Sequence, residues 1–97
     1  MIIVHDIFVC KPGFASKLAK KFKTAMEGNS DLVNIMTDLT GQYNRVVMVS
    51  KFENLAAFEQ SFEKYKTNAE AMKKMTEAME GYHEMFQTGS REIYQVW

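Results

Sequence analysis

Residues 2–10 read Ile2-Ile3-Val4-His5-Asp6-Ile7-Phe8-Val9-Cys10, and Lys11-Pro12-Gly13 closes the run. A segment this rich in Ile, Val and Phe reads as a β-strand. Alternate residues of a strand point to opposite faces. Here Ile3, Ile7 and Val9 share one side, and Ile2, Val4 and Phe8 share the other. Both sides are apolar, so the spacing predicts a strand that is covered on both faces. Pro12 cannot donate to a ladder and Gly13 permits a sharp turn, so the strand stops there.

From Phe14 to Glu27 the period changes. Phe14, Leu18, Phe22, Ala25 and Met26 fall on one helical face, with Lys17, Lys20, Lys21 and Lys23 around the remainder. Gly28-Asn29-Ser30 supplies a stop and a turn. A second strand is expected at about 32–39, a hairpin loop at Thr40-Gly41-Gln42, and a third strand at about 43–52. A long helical segment follows from Glu53 to about Tyr82. In it Leu55, Phe58, Phe62, Tyr65, Ala69, Met72, Thr76 and Met79 repeat at alternating steps of three and four. Lys66-Thr67-Asn68 predicts a break, because Thr and Asn compete for backbone hydrogen bonds. Thr88-Gly89-Ser90 reads as a loop and Glu92–Trp97 as the last strand.

The order β-α-β-β-α-β predicts an α+β, ferredoxin-like domain spanning residues 1–97, a four-stranded antiparallel sheet with its helices on one face. Two helices cover one face only. The first strand is apolar on both, so the other face would expose a large apolar patch, which monomers avoid. A homodimer pairing sheet on sheet is expected.

Composition narrows the partners. The chain has 97 residues, 12 basic against 12 acidic side chains, and 46% hydrophobic content. Zero net charge argues against nucleic acid, and the third strand lacks the aromatic pattern of an RNA-reading sheet. No apolar run approaches the roughly 20 residues of a membrane helix, and the start lacks the basic and long apolar regions of a signal peptide. One cysteine forms no internal disulfide, so a cytoplasmic location is expected.

Two stretches, FVCKPGFASKL (residues 8–18) and TGQYNRVVMVSKFENLAAFEQ (residues 40–60), resemble the dimeric α/β-barrel superfamily. That group includes the antibiotic-biosynthesis monooxygenases, the haem-degrading monooxygenases and the NIPSNAP-type proteins. The resemblance implies a sheet-paired dimer with one mostly apolar pocket per subunit. It also implies cofactor-independent oxygenation of an aromatic or polyketide-like molecule, or a ligand-binding or structural role on the same fold. Quinol-oxidising members carry a Trp closing strand three and an Asn a few residues earlier, where this sequence has Phe52 and Met48. Haem-degrading members carry an Asn in strand one, where Asp6 stands, and an axial His near the position of Met72 or Met75. No cofactor is expected.

Asp6 and His83 are the candidate proton carriers. Asp6 has the parity of Val4 and Phe8, which the resemblance turns towards the helices; an acid in an apolar cleft suits proton transfer. The plainer reading is a buried polar group held by hydrogen bonds. Were the helix to continue past Gly81, the stripe would carry His83 to the sheet side as a general base or a ligand hydrogen-bonder. The plainer reading is a histidine at a helix end, since Gly81 invites an interruption. Phe8, Met48, Phe52, Phe62, Tyr65, Met72 and Met79 are the candidate ligand lining, although such a stripe also serves as simple core. Two histidines and one cysteine without HxxxH, HExxH or CxxC predict no metal site.

Overall fold

A computed structural model describes residues 1–97. Its elements are β1 (Ile2–Cys10), α1 (Ala15–Ala25), β2 (Leu32–Thr37), β3 (Arg45–Phe52), α2 (Leu55–Thr67), α3 (Ala69–Ala78), a 3-10 turn (Tyr82–Glu84) and β4 (Phe86–Gln95). The four strands form one sheet in the order β2-β3-β1-β4, with every neighbouring pair antiparallel. This is the expected ferredoxin-like βαββαβ arrangement, with its second helix divided in two.

The division falls at Asn68, where a break was expected. Thr67 turns its hydroxyl back to the carbonyls of Glu63 and Lys64 at 3.1 Å. Asn68 then ends α2 and caps α3, its side chain accepting from the Ala71 N–H at 3.0 Å. That bond satisfies one of the donors left without partners at any helix start. Asn54 does the same for α2 by accepting from the Ala57 N–H at 2.9 Å.

Three boundaries differ from expectation. β2 stops at Thr37 because Asp38 turns inward against Arg45. It accepts from that residue's backbone N–H and from its Nε, both at 3.1 Å. β3 begins only at Arg45, since Asn44 has φ 62° and cannot extend a strand. The largest difference is at the C-terminal end. Thr88, Gly89 and Ser90 are not a loop but strand residues opposite Val9, Phe8 and Ile7, and the strand ends at Gln95 rather than Trp97. The outer edge of β1 presents a full row of backbone donors and acceptors, and pairing them outweighs the weak strand preference of Gly and Ser. Trp97 lies outside the sheet and is fully exposed.

The helices all pack on one face. Leu18, Phe22 and Ala25 of α1 meet Cys10, Val46 and Met79 in the core. Leu18, Val4 and Val46 are completely shielded from solvent. Cross-strand partners share a face, so the helix side carries Ile2, Val4, Asp6 and Phe8 with Phe52, Ser50, Met48 and Val46. The opposite side carries Ile3, His5, Ile7 and Val9 of β1, Val47 and Val49 of β3, Met36 of β2 and Tyr94 of β4. No helix covers it. No helix is long and apolar enough to cross a membrane.

Candidate functional site

The helix layer does not close fully over the sheet. α2 and α3 carry the aromatic and methionine stripe, yet neither helix has a buried residue, whereas α1 buries three. Phe62 of α2 remains 39% exposed. On α3 the expected stripe of Ala69, Met72 and Thr76 faces solvent while Ala71, Met75 and Ala78 turn inward, because the break at Asn68 resets the helix phase. The space left under α2 is a cavity of about 300 Å³.

Its walls come from several elements. β1 supplies Asp6, β3 supplies Met48, Ser50 and Phe52, α2 supplies Phe58, Ser61, Phe62 and Tyr65, and β4 supplies Arg91. The aromatic rings form a ladder. Phe52 meets Phe58 edge-on at 5.2 Å between centroids, and Phe58 meets Phe62 at 5.0 Å. Both are the edge-to-face packing that the ring quadrupole favours.

One ion pair stands in this apolar setting. Asp6 and Arg91 are directly opposite in the β1–β4 register. Arg91 Nε donates to Asp6 Oδ1 at 2.6 Å. The guanidinium carbon sits 5.2 Å from the centroid of Phe58 and 5.4 Å from that of Phe62. The pair is unevenly covered, for the Asp6 side chain is 13% exposed and that of Arg91 46%. Asp6 therefore anchors the base of the arginine fork, and both rings lie within cation–π reach of its charge. The terminal nitrogens of Arg91 make no hydrogen bond to the protein.

A second, more open hollow adjoins the first and shares Phe22, Tyr65 and Met75 with it. Phe8, Met79, Tyr82, His83 and Phe86 line its far side. Gly81, in the left-handed region at φ 76°, ends the helical path and puts His83 on an exposed 3-10 turn. The imidazole lies edge-on to Tyr82 at 6.0 Å between centroids.

The structure thus divides the residues singled out from sequence. Asp6, Met48, Phe52, Phe62 and Tyr65 come together around the cavity. Phe8 and Met79 line the second hollow with His83, apart from Asp6. Met72 lines neither space. Arg91 was missed. A Thr-Gly-Ser loop just before it hid its strand parity, and only the β1–β4 register brings it opposite Asp6. No group of three His, Cys, Asp or Glu side chains is arranged to hold a metal ion.

Two further ionisable groups are displaced by their surroundings. Burial pushes the Cys10 thiol up, and the Asp38 charge adds to that. Tyr94, on the bare sheet face, donates to Glu92 Oε1 at 2.6 Å, and that bond raises its phenol above the ordinary value.

No protein-family model matches this sequence, and no curated protein does. Solved structures do match. An uncharacterized NIPSNAP domain protein from Burkholderia xenovorans superposes with a TM-score of 0.78 at 12% identity, over 100% of this chain and 95% of that one. A NIPSNAP family protein from Agrobacterium tumefaciens gives 0.77 at 10% identity, over 97% of this chain and 90% of that one. A candidate antibiotic biosynthesis monooxygenase from Nitrosomonas europaea gives 0.64 at 11% identity, over 99% of this chain and 98% of that one. The chain has the fold of the superfamily that its sequence resembles. At these identities the likeness concerns architecture, and activity has to be argued from the site.

Proposed function

We propose that this protein is a small-ligand-binding homodimer, with the cavity under α2 as the ligand site and the bare sheet face as the contact between copies. The observation that carries the ligand reading is the unclosed helix layer. An aromatic stripe that served only as core would be buried, yet α2 buries no residue and a cavity of about 300 Å³ remains beneath it. That volume lies at the lower end of small-molecule sites, roughly 300–1,000 Å³. Its walls of Phe52, Phe58, Phe62 and Tyr65 suit a flat aromatic ligand. The test is a chemical-shift titration of the labelled protein with 2-naphthamide and, separately, with 2-naphthoate. Shifts clustered at residues 48–65 with either support the reading, and a spectrum unchanged by both at millimolar ligand removes it.

The dimer reading rests on the face opposite the helices, where Ile3, Ile7, Val9, Val47, Val49 and Met36 gather. A four-stranded face about 19 Å wide and about 30 Å long offers roughly 570 Å² per partner, against roughly 800 Å² per partner in a standard interface. A second copy of the chain presents the same apolar surface in the same shape, which a twofold contact requires. Cys10 is a free, buried thiol, which suits a reducing compartment, and we place the protein in the cytoplasm.

A catalytic reading has support from the structural likeness to the monooxygenase fold. In it Asp6 or His83 handles the proton while the aromatic walls hold the substrate. Ion pairing of Asp6 with Arg91, and the placement of His83 on an exposed turn away from Asp6, favour binding over turnover. Quinols incubated under air separate the two readings. Oxygen uptake that falls tenfold or more in Asp6→Asn or His83→Ala establishes catalysis, and no uptake by the wild type leaves the binding reading.

A further inference from the structure

We infer that the ligand of the cavity under α2 carries a carboxylate, which Arg91 receives. This rests on the ligand-binding reading of that cavity and adds the chemical class.

Four observations converge on Arg91. It is the cavity's only cationic side chain, in a lining of mostly aromatic and apolar residues. Its Nε is already committed to Asp6 at 2.6 Å, which fixes the fork at its base. Phe58 and Phe62 lie 5.2 and 5.4 Å from the guanidinium carbon, so the plane is held from a second direction. The terminal nitrogens have no acceptor in the protein. A guanidinium held at Nε keeps the parallel pair of terminal N–H groups that matches a carboxylate in bidentate fashion. Holding the side chain before the ligand arrives also removes the ordering penalty that a mobile arginine would add.

Two negative groups of the lining bear on this. Asp6 is the anchor and keeps its negative charge beside the guanidinium, so it opposes a ligand carboxylate and leaves the terminal nitrogens, the edge farther from it, as the seat. Asp31 lies just before β2, at the other side of the sheet from β4. Three strand spacings, about 14 Å, separate those positions, so Asp31 repels a carboxylate on Arg91 only weakly. The terminal nitrogens offer that carboxylate two charge-assisted hydrogen bonds at contact distance. Asp31 at the far end would accept a donor from the ligand's opposite end.

The experiment compares 2-naphthoate with 2-naphthamide, which have the same rings and differ in charge, by calorimetry at pH 7 and low salt. Naphthoate is expected to bind at least tenfold more tightly to the wild type. Arg91→Gln is expected to bring the two affinities together, and Arg91→Lys to keep part of the preference as a point charge without the fork. Thermal melting checks that each variant is folded. Equal affinities in the wild type overturn the carboxylate inference while leaving the cavity as a ligand site, and they do so whatever the variants' stability. A naphthoate preference that survives in folded Arg91→Gln overturns it as well. If neither compound binds the wild type, the ligand-binding reading itself falls.

Discussion

Replacing Val47 by Glu places a carboxylate in the middle of the bare sheet face. Val47 stands between Ile7 of β1 and Met36 of β2, and it is half-buried within one protomer. In an isolated chain the new charge reaches water, so folding should lose only about 1 kcal/mol, from the valine's partial burial and strand preference. In a sheet-on-sheet dimer the same carboxylate faces the partner's apolar strands. Losing the valine's burial and introducing an unpaired charge would together remove at least about 3 kcal/mol per copy. The twofold repeats the substitution, which gives about 6 kcal/mol per dimer, or a factor on the order of 10⁴ in the dissociation constant. A dimer of micromolar affinity would then dissociate at about 10 mM. Sedimentation velocity at tens of micromolar should therefore show a wild-type dimer and a folded Val47→Glu monomer, with circular dichroism confirming an unchanged fold. A wild type that sediments as a monomer, or a variant that remains a dimer, refutes the argument from the uncovered face.

Two predictions concern the core. Leu18→Ala removes a side chain with no solvent exposure, packed among Cys10, Phe22, Val46 and Met79, and should lower unfolding stability by about 3 kcal/mol in urea titration. A loss below about 1 kcal/mol would mean that α1 is not the rigid part of the helix layer. The Cys10 thiol, raised by burial and by the charge of Asp38, should react with iodoacetamide far more slowly in the folded protein than in the unfolded chain. Its effect on stability has a definite sign. Above about pH 8.5 the unfolded thiol gives up its proton while the folded one keeps it, so stability should decline with rising pH there. Cys10→Ala should flatten that part of the profile, and an unchanged slope would exclude the thiol as its source.

Much of the architecture is legible locally. The two-sided apolar run of β1, the 3.6 period of α1 and the aromatic stripe of α2 each follow from side-chain spacing, as does the break at Thr67-Asn68; the stripe's continuation through Ala69, Met72 and Thr76 does not, since these face solvent. Misplaced boundaries lie where a side-chain or strand partner decides. Asp38 ends β2 through its bonds to Arg45, seven residues on across the hairpin, and β1 draws Thr88-Gly89-Ser90 into β4 by offering a complete backbone edge. Only the second of these lies beyond a short window of sequence.

The candidate site divides along the same line. Asp6 and the rings of α2 announce themselves by parity and by helical period, because both repeats are properties of consecutive residues. Arg91 does not, because its meaning is a register across 85 positions of chain. The neighbours of residue 91 in sequence, Ser90 and Glu92, describe a polar segment; its neighbour in space, Asp6, makes it one half of an ion pair inside an aromatic cleft. His83 illustrates the converse. A periodic stripe carries it inward on paper, and a single left-handed glycine at position 81 redirects it to the surface. Local spacing settles which residues are apolar and which repeat they follow. Which polar groups meet is decided only when β4 pairs with β1, since hydrogen bonding between strands, and not the order of residues along them, sets who faces whom.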